Sequence, residues 1–589
     1  MMKYLLLVLC LLPKLIFAQI ICNNYPATDA LGRKLPEFKE VGPPKKGKFV
    51  GVFYSIWHTA YSRYVPLNAS EILSKYPEAI YDFNNPAWRP ADGSFFFWGE
   101  PLFGYYKDTD PWVLRKHAEM LAYAGVDVVV LDCSNGDTYK ESYLALFKAF
   151  ADARKDGIKT PYIAFMLPFG ITDAGRSEIK ELFTQLYQPG LYKGLWFYWK
   201  GKPLIMAYPE LANGDASVPG NDMKNFFTFR PAQGLYDNGP QRPDNWGWLQ
   251  IYPQHGFVPE TNSGFEQMPV GVAQNWSKAR GLTAMNSPGV FGRSYTTLSG
   301  LHTNKDAVNY GYNFQEQWDR ALRVNPEFIF ITGWNEWIAG RYKSWEHQAN
   351  AFPDEFSEER SRDIEPMKGG HQDDYYYQMV SNIRRFKGVT KQQPDSGRVY
   401  IKQGDSFPDW SNVAFTFITP RGNTLHRDFD GWKGLHYTNN TGRNNIVLCK
   451  VASDKKFLYF YVETAGKLSK TSDSGWMWLL IDIDRNKKTG WDGYDFMVNR
   501  INPSKRAVLE RSKKSWKWTK VADLDYQVKD NKLQIKISKE ALGIKTNSDL
   551  EFKWCDNIQE DGNNTDFLIN GDASPFGRFN YRYSCKIRK

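Results

Sequence analysis

The chain has 589 residues, a formal charge of +10 and 16% aromatic residues, among them 21 Trp and 34 Tyr. That length exceeds what one hydrophobic core organises, so two or more domains are expected. The basic excess is thin and no dense Lys/Arg block occurs, which excludes nucleic acid as a partner; the aromatic residues fit either β-rich cores or platforms for the apolar faces of sugars.

The first twenty residues, MMKYLLLVLCLLPKLIFAQI, read as a secretory signal over residues 1–18. Lys3 supplies the positive end, residues 4–12 the apolar core and Ala18 the small residue before the cut. Cleavage removes Lys3 and Lys14, leaves about +8 and sends the chain to the periplasm or outside the cell. The apolar run is too short to span a membrane, and no other transmembrane segment is expected. A lipoprotein would use Cys10 or Cys22, but neither follows a clear lipobox. Cys22, Cys133, Cys449, Cys555 and Cys585 remain: an odd number without a CxxC pair, so neither a disulfide scaffold nor a zinc module. One bridge among the last three is compatible with an oxidising compartment.

From about residue 48 to 387, short apolar runs alternate with helical patterns. Eight strands are expected at 49–54, 126–131, 161–167, 203–207, 226–229, 248–252, 270–273 and 328–332. Runs such as VDVVVLD and EFIFIT suit parallel strands buried on both faces. Asp110-Pro111 caps and starts a helix that Gly125 ends. Amphipathic helices are expected at 140–155, 176–187, 314–324 and 375–386, whereas strands five to seven lack clear helices between them. The fold class is α/β, a (β/α)8 TIM barrel over residues 19–390. After the polar stretch GVTKQQPDSG, short alternating runs such as FLYFYVE and LQIKIS predict a C-terminal all-β sandwich over residues 391–589.

Barrel active sites sit where strands end, at their C-terminal side. That rule selects Trp57, His58 and Tyr61 after the first strand, Asp132 and Asn135 after the second, and Gln274, Asn275 and Trp276 after the seventh. Trp334, Asn335, Glu336, Trp337 and Arg341 follow the eighth. Glu210 and His255 are weaker candidates, and Cys133 reads as a packed thiol without a base beside it. Rings, amides and carboxylates with few cations suit a carbohydrate, which two carboxyl groups can cleave at a glycosidic bond. Glu336 lies between two indoles, where desolvation should raise its pKa as a general acid or a poised base requires. The alternative is a Glu that pairs with Arg341 to fix a loop. Asp132 is divided between a site role and helix capping.

Asn335-Glu336-Trp337 followed by Ile364-Glu365-Pro366 resembles glycoside hydrolase family 99 and its family 71-like and WbsX-like relatives. The resemblance implies that Glu336 is the base assisting a sugar 2-hydroxyl. The family's second Glu, its general acid, is replaced by Ala339. An insertion, RYKSWEHQANAFPDEFSEERSRD, follows Gly340; a loop of that length is often functional. Glu346 or Glu355 from this loop, or Asp132 across the barrel, could supply the missing acid. The family's mannosidic linkage does not carry over when the acid is absent.

In the last third, acidic and amide oxygens alternate in Asp482, Asp484, Asn486 and Asp495 around a Gly turn, which suits a structural calcium ion but is not an EF-hand. The stretch DIDRNKKTGWDGYD resembles family 9 carbohydrate-binding modules and DOMON-like sandwiches. Trp432, Trp476, Trp478, Trp516 and Trp518 are the platform candidates there, with the SWKW pair preferred because residues two apart share a strand face. No Walker motif or strand-coupled GxGxxG occurs, so no redox or nucleotide cofactor is expected. The expected function is a secreted, monomeric glycoside hydrolase acting on a poly- or oligosaccharide, with no catalytic cofactor. The rivals are a non-catalytic glycan-binding protein and a polysaccharide lyase.

Overall fold

The computed structural model describes residues 24–88, 95–213, 220–259, 264–393, 400–402, 407–419, 424–544 and 548–584. The expected signal, Cys22, Cys585 and part of the expected linker lie outside the described residues. The chain is mixed α/β, with a parallel sheet in its N-terminal part and antiparallel strands beyond it.

Eight stretches carry the parallel part: β1 (Phe49–Tyr54), β2 (Val128–Asp132), β3 (Tyr162–Met166), β4 (Lys202–Met206), β5 (Thr228–Phe229, continued by Ala232–Gln233), β6 (Trp246–Gly247), β7 (Phe265–Gly271) and β8 (Phe328–Thr332). Each pairs in parallel with the next from β1 to β6, and β7 pairs with β8, which pairs back onto β1. Between β6 and β7 a side chain takes over from the backbone ladder. Gln267 Oε1 accepts from the Gly247 amide at 3.0 Å, and its Nε2 donates to the Gly247 carbonyl at 2.8 Å.

Alternate residues of these strands enter two cores. Phe53, Val130, Met166, Met206 and Phe330 pack with Trp246 and Trp248. Val52, Val129, Phe165, Ile205 and Ile331 pack outward against the helices. Both faces are buried, which is why the strands read as continuous apolar runs.

The five longest helices among the described residues are α1 (Pro111–Ala124), α2 (Lys140–Lys155), α3 (Asp173–Leu182), α4 (Tyr312–Val324) and α5 (Asp374–Lys387). Asp110 Oδ1 accepts from the Trp112 and Val113 amides, and Gly125 ends α1 at φ 85°. Two strands differ from expectation. The sixth lies at 246–247 rather than 248–252: the Gln267 side chain takes up the Gly247 amide and carbonyl, and the Trp248 amide still donates to the Gln233 carbonyl of β5 at 3.3 Å before the pairing ends. The seventh begins at Phe265 rather than 270; its polar start is buried through the Glu266–Arg230 ion pair at 2.6 Å and a bond from Trp246 Nε1 at 2.7 Å.

The C-terminal strands are antiparallel. The twelve-residue strand Trp518–Lys529 pairs through its first half with Ala507–Ser512 and through its second with Lys532–Ser538, so it passes from one set of strands to the other. Phe460 and Phe552 from the two sets meet at 5.6 Å. The strand Ala27–Thr28 pairs with Asn580–Ser584 and ties the start of the described chain to its end. Cys133, Cys449 and Cys555 are buried free thiols, so the expected bridge does not form between Cys449 and Cys555.

Candidate active site

β8 delivers the turn Trp334–Trp337, and the later segment around Pro366 braces it. The Ile364 and Glu365 amides donate to the Trp334 carbonyl at 3.0 and 2.9 Å. The two motifs, nearly thirty residues apart, therefore form one unit. Asn335 clamps this unit to the end of β1: its Oδ1 accepts from the Ser55 amide at 2.9 Å, and its Nδ2 donates to the Ser55 carbonyl at 3.1 Å.

The indoles do not flank Glu336 as expected. Trp334 packs edge-on to His117 at 5.5 Å, and Trp337 stacks on Trp98 at 4.9 Å. Both are fully buried, so neither is a stacking surface for substrate. Trp337 Nε1 instead donates to Glu365 Oε2. Glu365 also receives Tyr106 Oη at 2.8 Å and pairs with His117 Nε2 at 2.8 Å, while His117 Nδ1 meets Tyr54 Oη at 2.6 Å. This buried network beneath the turn holds it in place.

Glu336 itself is 7% exposed. Its Oε2 accepts from Arg362 Nη2 at 3.2 Å, and the same nitrogen donates to Asp354 Oδ1 at 2.9 Å. Asp354 has 38% of its side chain exposed, whereas Arg362 is fully buried and faces the Trp248 ring at 5.4 Å. Arg341, the alternative partner, lies elsewhere. It stacks over Trp88 at 4.0 Å, with Phe83 and Phe352 alongside. Burial pulls its pKa down to about 10.

Two further carboxyls surround the pair. Glu355 is fully buried with neither oxygen hydrogen-bonded. Burial, and then the neighbouring Asp363 and Glu336, push its pKa far up. Asp363 Oδ2 accepts from Trp98 Nε1; burial raises its pKa to about 7 against Arg293 and Trp98. Burial raises Glu336 to about 8; Arg362 opposes this, while Asp354, Asp132 and Asp363 add to it. One directly paired guanidinium thus serves several acids, and the cluster retains protons at neutral pH. An ionised carboxylate without partners is too costly to bury, so Glu355 is neutral.

Other candidates occupy varied places. Asp132 is buried beside Trp57; burial raises its pKa, and the Ser134 donors and the Trp57 indole oppose the rise. Its Oδ1 accepts from the Ser134 amide at 2.9 Å. His58 Nδ1 pairs with Asp108 Oδ1 at 2.7 Å, and its buried Nε2 has no partner. Tyr61 is half-buried against Phe95, and Asn135 is exposed. Gln274 is held by Asn313, buried Asn275 lies close to Tyr236, and Trp276 is half-buried against Phe291. Glu210 is taken up by Arg242 and His255 by Gln250. Glu346, the loop acid expected to join Glu336, instead stands exposed at the tip of the hairpin formed by Tyr342–Trp345 and Gln348–Ala351. Its charge is solvated there, and nothing draws it inward. Ala339, at the family's second Glu position, lies in the strand Ile338–Gly340 paired with Phe95–Phe97.

Sequence reasoning missed Asp354, Arg362 and Asp363. The readable signal was FPDEF, an acidic pair between two aromatics. Buried Phe352 and Phe356 pin that stretch inward and carry its carboxyls with it.

In the C-terminal part, one oxygen each of Asp482, Asp484 and Asp495 lies within 4.8 Å of the others. Asn486 does not join them: its Oδ1 accepts from the Lys488 amide at 3.1 Å. Lys487 Nζ lies 3.1 Å from Asp482 Oδ2, where a cation would compete with it. The candidate platform does not form as expected either. Trp432, Trp476 and Trp478 are buried, while Trp516 and Trp518 are half-buried and pack on each other at 5.7 Å, with Trp491 against Trp516 at 4.4 Å. Trp516 lies in the turn before its strand, so the pair does not share a strand face.

Among the described residues no helix is long and apolar enough to cross a membrane. No family model matches the sequence, and no curated protein matches it. Among solved structures, two of the glycoside hydrolase family 99 endo-alpha-mannosidase from Bacteroides thetaiotaomicron align with it, one of them in complex with BIS-TRIS-propane. Each is 16% identical and covers 57% of this chain and 97% of its own, with TM-scores of 0.33 and 0.34. Similarity of that degree fixes neither the fold nor the activity of this chain.

Proposed function

We propose that the chain is a glycoside hydrolase: a (β/α)8 barrel over residues 19–390 joined to a β-sandwich over residues 391–589, acting on a poly- or oligosaccharide after export. The observation that carries this reading is the Arg362 Nη2 bridge between Glu336 Oε2 and Asp354 Oδ1. It joins two carboxyl groups of different character. Glu336 is buried and keeps its proton to about pH 8, as a general acid requires. Asp354 is ion-paired and open to solvent, as a nucleophile or water-activating base requires.

Glu336 gives its proton to the glycosidic oxygen as the bond to the anomeric carbon breaks. Asp354 attacks that carbon or takes a proton from the water that does. Incubation with a panel of polysaccharides, read by product chromatography, tests the reading; release of oligosaccharides from none of them would refute it. Ala339 favours the second reading, a glycan-binding protein without turnover, and under it Glu336→Gln leaves binding unchanged and there is no activity to lose.

The loop bearing Asp482, Asp484 and Asp495 is proposed as a structural calcium site, with Asn486 outside the ligand set and Lys487 displaced on binding. A rise in Tm with calcium, reversed by chelation and absent in Asp495→Ala, is the expected result; a Tm indifferent to calcium would rule it out.

A further inference from the structure

The hairpin of Arg427–Asp430 and His436–Asn439 belongs by sequence to the C-terminal β region, yet it packs on the segment that shapes the candidate site. Buried Trp432, in its turn, meets the Phe97 ring at 4.7 Å, and its amide donates to the Tyr105 carbonyl at 3.0 Å. Tyr437 Oη accepts from the Tyr105 amide at 2.8 Å. Arg427 Nε donates to Asp110 Oδ2 at 2.8 Å, and its Nη1 to the Phe103 carbonyl at 3.0 Å. The fit leaves no slack: a Cβ on Gly104, at φ 80°, would stand 2.5 Å from the Tyr437 ring.

The gripped segment, residues 103–110, does three things at the site. Asp108 holds His58 Nδ1 at 2.7 Å and the Thr59 amide at 2.9 Å. Tyr106 donates to Glu365 and receives Asn335 Nδ2 at 3.3 Å. Asp110 caps α1, the helix that carries His117. No contact joins the hairpin to Glu336 among the described residues, so any influence on catalysis passes through this segment.

We propose that the 427–439 hairpin is a positioning element of the active-site wall: by fixing residues 103–110 it holds Asp108 against His58 and so aims the partnerless His58 Nε2 at the substrate. The C-terminal region is then part of the site rather than a detachable sugar-binding appendage. The role of His58 toward a substrate rests on the hydrolase reading; the hold of the hairpin on Asp108 and His58 does not. The groups facing His58 are Asp108 and Tyr106 from the gripped segment, Glu365 and Asp363 from the segment bracing the Glu336 turn, and the Phe97 ring. Burial works against the imidazolium, but Asp108, Glu365 and Asp363 outweigh it and raise the His58 pKa. Loosening Asp108 leaves burial in charge and lowers it.

The test follows the imidazole signals of the full-length chain by NMR across pH, with His58→Gln to assign the His58 signal. Trp432→Ala is expected to lower the His58 midpoint by about one unit, Trp432→Phe to restore most of it, and Tyr437→Phe to move it the same way by less. Trp410→Ala, which removes a buried indole bonded to Gln534 away from the hairpin, serves as control and should leave it in place. An unchanged His58 midpoint in folded Trp432→Ala or in Tyr437→Phe would overturn the proposal, as would an equal shift in Trp410→Ala. If Trp432→Ala does not fold, Tyr437→Phe decides. The readout needs no turnover, so an inactive chain that shows the shift refutes the hydrolase reading and leaves this one standing.

Discussion

Replacing Glu336 by Gln should stabilise the protein, and do so only above mildly acidic pH. Folding raises the Glu336 pKa from 4.5 to about 8, chiefly by burial. Below 4.5 the carboxyl holds its proton folded or unfolded and contributes nothing. Between 4.5 and 8 the folded chain still holds the proton while the unfolded chain has released it, so stability falls as pH rises. Each pH unit in that window costs about 1.4 kcal/mol, or roughly 3 kcal/mol by pH 7 for this one group. Gln occupies the same space, offers Arg362 an oxygen and has no proton to lose. The assay is urea unfolding of both proteins from pH 5 to 9, compared by midpoint. The variant's advantage should be small at pH 5, widen steadily and level off above about pH 8. An advantage that stays flat with pH, or a wild type that gains on the variant as pH rises, would refute the argument that burial keeps this carboxyl neutral.

Other outcomes follow from the same geometry. Under the proposed hydrolase function, activity should fall as pH rises through about 8, where Glu336 loses its proton, and a pH–rate profile with no such limb would remove it as the acid. Asp354→Asn should lower kcat a hundredfold or more with a smaller change in KM, read by steady-state kinetics. Glu365→Ala strips the acceptor from Tyr106, Trp337 and His117 and should cost about 3–5 kcal/mol in denaturant unfolding. Gly51→Ala places a Cβ 2.5 Å from the Phe328 ring inside the parallel sheet and should cost about 1–3 kcal/mol by the same method.

Much of the fold was legible because it rests on local chemistry. β1 and β8 fall at their expected bounds, as does α2, since apolar runs and helical periodicity act over a few residues. β6 and β7 were misplaced because their pairing depends on Gln267, Glu266 and Arg230, polar residues whose burial is settled by partners distant in sequence. The site divides the same way. The burial of Glu336 was readable from its position after a buried strand. Its partner was not, because strand-end reasoning reaches only residues next to a strand. Asp354 comes from a long loop, and it is Phe352, Phe356 and Arg362 that bring it in. Trp334 and Trp337 misled for the opposite reason: an indole beside a carboxylate in sequence can pack on other partners, as Trp334 does on His117 and Trp337 on Trp98.

The proposed function has Glu336 and Asp354 together break a glycosidic bond. Its most direct test is release of reducing ends from a polysaccharide by the wild-type chain, Glu336→Gln and Asp354→Asn, with binding of the same polysaccharide measured alongside. Turnover is expected in the wild type only, and binding in all three. Turnover undiminished in either variant, or products that absorb in the ultraviolet as unsaturated ends do, would contradict it.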